Sequence, residues 1–213
     1  MSHNPYLPQD EVPRELQEIA RRGQQIEGEL LRLLLRHRNC LPDLALNPEL
    51  SQESLELLVT HVIRESARDG RWGTRHESYL ALEYLAESGR LAKFPCACGA
   101  LISRIRRPTS YIESFNPHPR HSFTVLLAMK EIPIEIAVEL DRRLVACSPT
   151  YEHVRIRLAR HASASVELRR EMLRLRRTPA LVQTIWENCG EIRDRSLKRA
   201  LLLQEDLEED GDL

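Results

Sequence analysis

The residues best suited to chemistry in this sequence are two cysteines and two histidines between positions 96 and 121. Cys96 and Cys98 form a CxC pair, and His118 and His121 follow downstream. Thiolate and imidazole groups are ligands that zinc prefers, but structural zinc sites usually contain CxxC or HxxxH pairs. The sequence contains neither. Cys96 and Cys98 are therefore weak candidates for metal ligands. The simpler interpretation is that their free thiols pack between helices as small apolar side chains.

A second candidate site is the segment SFNPHPRHS, which is the most irregular stretch of the chain. Its proline and asparagine content predicts an ordered loop. A loop of this kind could hold a small polar site formed by His118, Arg120 and His121. The alternative is a loop that only leads into the next helix.

Motifs for covalent or phosphate chemistry are missing from the sequence. There is no GxSxG and no glycine-rich phosphate loop. Many carboxylates are present, but their context singles out no acid and base pair. We therefore expect a protein that is not an enzyme and needs no cofactor, with a metal-binding or enzymatic site near Cys96 to His121 as the more remote alternative.

The arginines between positions 155 and 199 indicate a binding surface. Five of them are predicted to lie on the outer faces of two successive helices, namely Arg157, Arg160, Arg170, Arg174 and Arg177. Each guanidinium presents a fork of donors to oxyanions, so a strip of them would bind an acidic peptide or a phosphate backbone. The alternative is a solvated face in which Glu167 and Glu171 are local counter-ions.

The composition decides which elements must position these residues. The chain has 213 residues, of which 42% are hydrophobic, 30% are charged and only 5% are aromatic, with 8 glycines. Leucine, arginine, glutamate and alanine favour helices, whereas few aromatic residues and few glycines disfavour sheets. The sequence therefore predicts an all-α protein.

Charge and cysteine usage limit the environment and the partners. The net charge is −1, so bulk charge indicates neither nucleic acid nor membrane. No apolar run approaches the roughly 20 residues of a membrane span, and the first residues do not resemble a secretory signal. Five scattered cysteines are an odd number, typical of reduced thiols. We expect a cytoplasmic protein.

Helical periodicity begins near Pro13. Apolar residues at helical spacing predict one helix from there to about Asn39. A second helix is predicted after Ser51 as its N-cap, and a third between a Thr74 capping box and Gly89. From Phe94 to Asn116 the pattern is weak, with one short helix before Pro108.

An even rhythm of helix starts follows. Pro119, Pro133, Pro149, Ser163 and Pro179 are spaced 14, 16, 14 and 16 residues apart, and an apolar-periodic segment follows each of them. Helices of about three turns are marginal alone in water. They must bury their apolar faces against the preceding and following helices, which predicts an α-solenoid, a right-handed superhelix of short antiparallel helices.

Two segments of the sequence share a frame. LALNPELSQESLELL from Leu44 and LARHASASVELRREML from Leu158 align so that Ser51 matches Ser165. LAMKEIPIEIAVEL from Leu127 and LVACSPTYEHV from Leu144 follow the frame more loosely. This frame resembles the leucine-rich repeat variant family, although Ala162 stands where the pattern has proline. The resemblance implies a curved helical superhelix related to HEAT arrays. Some members carry an amino-terminal iron–sulfur cluster, but the first 39 residues here hold no cysteine.

These patterns together predict three regions. Residues 1–12 form a flexible tail, residues 13–204 a helical repeat domain with a possible sub-boundary near 94–118, and residues 205–213 an acidic tail. Because solenoids offer extended surfaces with little chemistry, the predicted function is a non-catalytic adaptor or scaffold that binds another protein, for instance through an acidic segment of that protein. Nucleic-acid binding through the arginine-rich face is the alternative. The oligomeric state is left open by the sequence.

Overall fold

All regular elements in the described parts of the chain are helices, and no strand occurs there. The computed structural model describes residues 14–68, 77–106, 117–147 and 151–188, with residues 68 and 117–121 described by their backbone alone. The prediction of an all-α protein is confirmed. None of the described helices is both long enough and apolar enough to cross a membrane.

The chain divides into two compact units, which are unit 1 (Met1–Leu85) and unit 2 (Ala86–Leu213). The helices of unit 1 are α1 (Arg14–Arg21), α2 (Gly28–Arg36), α3 (Leu41–Leu46) and α4 (Gln52–Arg68), with a short 3₁₀ helix at Arg38–Cys40. Helix α5 (Glu77–Glu87) contains the division between the units.

Unit 2 continues with a 3₁₀ helix at Leu91–Lys93 and six α-helices. These are α6 (Pro95–Ser103), α7 (Pro117–Leu127), α8 (Ile134–Ala146), α9 (Glu152–Arg160), α10 (Val166–Leu175) and α11 (Pro179–Asn188). The last five begin within three residues of the five starts that the sequence rhythm predicts. Each has between 9 and 13 residues, close to the expected three turns.

The predicted first helix is wrong in one respect, because the structure contains two helices in its place. The chain leaves α1 at Arg22 and enters α2 at Gly28. Gly23 and Gly28 have φ values of 61° and 58°, a left-handed conformation that glycine adopts readily and that a helix interior does not contain. The apolar spacing continued across this break, so periodicity alone did not reveal it.

The predicted loop around His118 is also corrected, because the backbone there is helical. Helix α7 starts at Pro117, so His118, Arg120 and His121 lie in its first turns rather than in a loop. Proline is tolerated in the first turn of a helix because the amide that it lacks has no intrahelical acceptor there. The prolines therefore begin this helix instead of excluding one.

Helices two apart along the chain pack against each other in both units. In unit 1, α1 packs against α3 and α2 against α4, and α3 also packs against α4. In unit 2, α8 packs against both α6 and α10, and α9 packs against both α7 and α11. Chain neighbours α6 and α7, α8 and α9, and α10 and α11 pack as well. Each unit thus contains two groups of helices, with alternate helices in the same group.

The two segments that share a sequence frame share a local geometry. In unit 1, Asn47 ends α3, and its N–H donates to the carbonyl oxygen of Leu44. The Asn47 Oδ1 accepts from the N–H of Glu49 at 2.9 Å. Ser51 then caps α4, with its Oγ accepting from the N–H of Ser54 at 3.1 Å. We call residues 47–51 the first corner.

Residues 161–165 of unit 2 repeat this arrangement and are called the second corner. The N–H of His161 donates to the carbonyl oxygen of Leu158, and the His161 Nδ1 accepts from the N–H of Ser163 at 3.2 Å. Ser165 caps α10 by accepting from the N–H of Leu168 at 3.2 Å. Every residue lies 114 positions after its counterpart, so the predicted match of Ser51 with Ser165 corresponds to two equivalent N-caps.

Each corner is also hydrogen-bonded to the connection two before it in its unit. The Asn47 Nδ2 donates to the carbonyl oxygen of Gln24, between α1 and α2, at 3.0 Å. The Ser163 Oγ accepts from the N–H of Ile132, between α7 and α8, at 3.0 Å. Alternate connections therefore lie side by side, and the helices that start from them begin at similar levels.

Other sequence predictions have mixed outcomes. Helix α5 ends just before Gly89, whose φ of 76° and N–H bond to the carbonyl oxygen of Ala86 agree with the predicted terminator. The Thr74 capping box, both tails and Cys189 lie outside the described residues. The possible sub-boundary near 94–118 remains a prediction, and the observed division between units falls at Leu85 and Ala86.

Candidate protein-binding surface

The five predicted binding arginines differ in their surroundings. Arg157 and Arg160 are exposed on α9, and neither has a hydrogen-bond or ion-pair partner among the described residues. Arg174 is exposed on α10, but its Nη2 lies 3.2 Å from Glu171 Oε2 on the same helix. Arg170 and Arg177 are only partly exposed, and the Nε atom of each is buried. Arg157 and Arg160 are therefore the two whose charge is available to a partner.

An exposed tryptophan lies on the helix that packs against α9. Trp186 belongs to α11 and is 46% exposed, although the neighbouring residue Ile185 is fully buried. The inward face of α11 contains Leu181 and Ile185, four residues apart, and Trp186 falls just outside it. We call the exposed residues Arg157, Arg160 and Trp186 the α9–α11 surface.

Register places Arg160 and Trp186 towards the same ends of two packed helices. The short connections around α10 reverse the chain twice, so α9 and α11 run in the same direction and pack together. Arg160 is the last residue of α9, and Trp186 stands eight residues after Thr178, the cap of α11. Both side chains therefore lie towards the carboxyl ends of neighbouring helices and are exposed to solvent.

Arg155 differs from the other arginines because it is fully inside unit 2. Its side chain forms two hydrogen bonds with Asp141 of α8, from Nε to Oδ1 at 2.6 Å and from Nη2 to Oδ2 at 3.0 Å. It also donates to the carbonyl oxygens of Met172 at 2.8 Å and Arg176 at 2.9 Å, at the end of α10. One side chain of α9 therefore joins α8 to the carboxyl end of α10.

Burial raises the pKa of Asp141 above its ordinary value, and the two bonds from Arg155 oppose that shift. The carboxylate is fully excluded from solvent, so removing its hydration disfavours the charged form. The guanidinium provides a compensating charge and two donors. This pair is a feature of the interior of unit 2 and not part of its binding surface.

The two thiols of the CxC pair lie on opposite sides of helix α6. Cys96 is exposed on α6, whereas Cys98 is buried and its Sγ donates to the carbonyl oxygen of Leu91 at 3.7 Å. Two residues along an α-helix lie about 200° apart around its axis, so the thiols face opposite directions. Burial raises the pKa of Cys98 to about 11. Among the described residues no group of three or more histidine, cysteine or acidic side chains could hold a metal ion.

The side chains of the other predicted site lie outside the described part of the structure. His118, Arg120 and His121 belong to the first turns of α7, and only their backbone falls within the described part of the structure.

An open cleft of about 580 Å³ lies where α8 and α10 begin. Its walls come from the second corner, from the connection between α7 and α8, and from Ala92 of the short 3₁₀ helix. Ile132, Pro133 and Ile134 contribute apolar surface, and Lys130 and Glu131 contribute opposite charges. The sequence predicted helix starts at Pro133 and Ser163, but no local pattern indicated the cleft between them.

Ser163 lies on the wall of this cleft, and its hydroxyl is already engaged. It accepts from the N–H of Ile132 and lies 2.8 Å from the His161 Nδ1, which also accepts from the N–H of Ser163. These bonds require the serine hydroxyl to donate to Nδ1. Among the described residues no acidic side chain bonds to His161, so this turn lacks the third group that orients a catalytic base.

Comparison with known proteins finds no match. No protein family model, no curated protein and no solved structure matches this chain. The resemblance to the leucine-rich repeat variant family thus remains a prediction from the quoted segments.

Proposed function

We propose that unit 2 is an α-solenoid that binds an acidic segment of another protein through the α9–α11 surface. In this proposal the chain is a non-catalytic adaptor. The observation that carries it is the exposure of Trp186 on α11 together with two unpaired arginines on the adjacent α9.

The packing of alternate helices supports the solenoid. In a helical repeat array each helix contacts its chain neighbour and the equivalent helices of adjacent repeats. Helices α6 to α11 show these contacts. The repeated corner geometry at residues 161–165 and the bond from Ile132 to Ser163 agree with stacked repeats.

The composition of the α9–α11 surface supports protein binding. Tryptophan and arginine are enriched among the interface residues that contribute most to binding energy. An exposed indole offers a large apolar contact, and unpaired guanidinium groups bind carboxylates with two parallel hydrogen bonds. An acidic segment with an apolar side chain fits both features.

A single-stranded nucleic acid is the competing ligand for this surface. Trp186 would provide a base-stacking platform, and Arg157 and Arg160 would contact phosphates. Only one aromatic residue is present there, whereas single-strand sites generally use several. The acidic protein segment is therefore the primary proposal.

Selection of peptides from a phage-displayed random library on the full-length protein tests the proposal. We expect enrichment of acidic peptides with an apolar residue, bound less tightly at high salt. The Trp186→Ala substitution should weaken their binding by about 30-fold, which corresponds to roughly 2 kcal/mol for a central interface residue. Arg157→Glu and Arg160→Glu should each weaken it as well.

Matched substitutions identify the surface. Arg142→Glu is the same charge reversal at an exposed arginine of α8 and should leave peptide binding unchanged. Ile134→Glu probes the cleft. Loss of binding with Ile134→Glu but not with Trp186→Ala would reject the α9–α11 surface, and failure to enrich any acidic peptide would reject the proposal. Tight binding of an oligonucleotide that depends on Trp186 would favour nucleic acid instead.

A further inference from the structure

We propose that an acidic segment of this chain, residues 205–213, binds to the α9–α11 surface of the same molecule and competes there with a partner protein. This inference rests on the proposed function, because it gives the same surface an internal ligand of the same chemistry. The segment lies outside the described residues. Three features point to it, namely its sequence, the unpaired charges of the surface and the place where the chain leaves α11.

The sequence of the segment matches the ligand proposed for this surface. It reads EDLEEDGDL, with six carboxylates in nine residues, and no other stretch of the chain is as acidic. Leu207 lies between two carboxylates before it and three after it. Carboxylates can bind Arg157 and Arg160 with two parallel hydrogen bonds each, and a leucine side chain can cover an exposed indole. The chain thus contains an acidic peptide with an apolar residue, which is the composition that we expect the surface to select.

The described surroundings of the surface leave its charges without an internal partner. Arg157 and Arg160 are exposed and form no ion pair among the described residues. Glu187 follows Trp186 on α11, but its Oε1 accepts from the Gln183 Nε2 at 2.7 Å. Two positive charges and an indole therefore remain available to a segment from outside the described helices.

The chain leaves α11 at the edge of this surface. Asn188 is the last residue of α11 and follows Trp186 by two positions. Arg160 is the last residue of α9, which packs against α11. The sixteen residues 189–204 connect α11 to the acidic segment, and this number spans about 24 Å as a helix or at most about 55 Å when extended. Because the connection starts beside Trp186, the segment is within reach of the surface.

Tethering makes a weak contact effective. A short linker holds a ligand at an effective concentration in the millimolar range. A segment with a dissociation constant of about 0.1 mM would then occupy the surface about nine-tenths of the time and weaken a competing acidic partner about tenfold. A partner must therefore displace the segment, which sets a threshold of affinity for binding.

Fluorescence anisotropy with a labelled synthetic peptide of sequence EDLEEDGDL tests the proposal. The peptide is added to the full-length protein and to a full-length amide variant, which carries Glu205→Gln, Asp206→Asn, Glu208→Gln, Glu209→Gln, Asp210→Asn and Asp212→Asn. The amide variant should bind the peptide about tenfold more tightly at low salt, since its own segment no longer competes. Adding Trp186→Ala or Arg157→Glu to the amide variant should weaken this binding. Arg142→Glu, at an exposed arginine of α8, is the matched control and should leave it unchanged.

The outcomes separate this inference from the proposed function. Equal affinities of the full-length protein and the amide variant would overturn the inference and leave the proposed function intact. A peptide that binds neither protein would also overturn the inference, and the selection of library peptides then decides the proposed function by itself. Tight binding that is insensitive to both Trp186→Ala and Arg157→Glu would reject the α9–α11 surface for both ligands.

Quenching of tryptophan fluorescence by acrylamide is a second test that leaves the acidic segment unchanged. The chain has two tryptophans, so Trp72→Phe makes Trp186 the sole emitter. Raised salt should increase the quenching of Trp186, because it releases the segment, and Arg157→Glu should remove this response. A response that disappears on dilution would assign the bound segment to a second copy of the chain and overturn the proposal, as would quenching that does not depend on salt.

Discussion

Units 1 and 2 have the same corner geometry but different side chains at matched interior positions. The eighth residue of α2 is Leu35 and the eighth residue of α8 is Asp141, and both are buried. Leu44 and Leu158 hold matching positions just before the two corners. Three residues before them stand Leu41 in unit 1 and Arg155 in unit 2, which are again both buried. Two positions that hold leucines in unit 1 therefore hold an ion pair in unit 2.

The length of the following helix explains this difference. In unit 1, α4 continues to Arg68, so the carbonyl oxygen of Val62, its eleventh residue, accepts a bond within the helix. In unit 2, α10 ends at Leu175, a short distance before Pro179. The carbonyl oxygen of Arg176, the counterpart of Val62, accepts from Arg155, and that of Met172 accepts from both Arg155 and the N–H of Arg176. Arg155 thus replaces the backbone donor that a longer helix would supply to Arg176, and Asp141 compensates its charge.

The largest expected effect comes from removing this arginine. Arg155→Leu leaves Asp141 buried without its partner and the end of α10 without two donors. Breaking a buried pair in this way should lower the free energy of unfolding by about 3 to 5 kcal/mol, measured by urea denaturation. Arg157→Leu is the same change at an exposed position of α9 and should cost less than about 0.5 kcal/mol.

The double substitution Asp141→Leu with Arg155→Leu gives unit 2 the apolar side chains of unit 1. It should recover much of the lost stability, because no unpaired charge is then buried. It should remain below the wild type, since the two bonds from Arg155 to the carbonyl oxygens of Met172 and Arg176 are still missing. A double variant no more stable than Arg155→Leu would show that the buried charge is not the source of the loss.

The pH dependence of Arg155→Leu provides a second measurement of the same effect. Burial already raises the pKa of Asp141, and without Arg155 nothing opposes that shift. The folded variant then keeps a proton that the unfolded chain releases, so its stability falls as the pH rises from the ordinary aspartate range through the raised value. The loss relative to wild type should be smaller at mildly acidic pH than at neutral pH. Equal losses at both would contradict this assignment.

A smaller effect should distinguish the first residues of the two corners. Asn47 is fully buried and bonds to Gln24 and Glu49, whereas His161 is half-buried. Asn47→Ala removes two bonds made by a side chain that is fully excluded from solvent and should cost about 1 to 3 kcal/mol, while His161→Ala should cost less because water can replace the bond of a half-buried side chain. Thermal unfolding of both variants measures the difference.

Asn47→Asp is the control for this comparison. It keeps the acceptor for the N–H of Glu49 but places a buried carboxylate against the carbonyl oxygen of Gln24, so its stability at neutral pH should be no higher than that of Asn47→Ala. If His161→Ala proves as costly as Asn47→Ala, exposure does not explain the difference between the corners.

The smallest effect is expected at the two N-caps, where the units should behave alike. Ser51→Ala and Ser165→Ala each remove one side-chain acceptor at a helix start and should each cost about 1 kcal/mol. Ser103→Ala, at an exposed serine of α6, should cost less than about 0.5 kcal/mol. Chemical denaturation curves provide the comparison, and a clear inequality between the two caps would show that the corners are not equivalent.

The sequence predicted the parts of this fold that depend on neighbouring residues. The helix starts of unit 2, the cap Ser51 and the match of Ser51 with Ser165 all follow from local spacing. It failed where one local signal had two interpretations. Apolar spacing continued across Gly23 and Gly28, and the prolines near Pro117 begin a helix but resembled a loop.

The candidate surface was predictable only in part. The outward positions of Arg157 and Arg160 follow from the periodicity of α9. The exposure of Trp186, the counter-ion of Arg174 and the burial of Arg155 depend on contacts between helices far apart in the sequence. Arg155 resembles its exposed neighbours in composition and spacing, so no local pattern separated it from them.

The sequence by itself determined that this protein is helical, where most of its described helices begin and how its two corners are built, because these properties depend on backbone bonds and side chains within a few residues. Tertiary structure alone decided which arginine is enclosed, which tryptophan remains outside, and where the cleft opens. These outcomes depend on which helices pack together and where each one stops, and neither is set by the residues within a single turn.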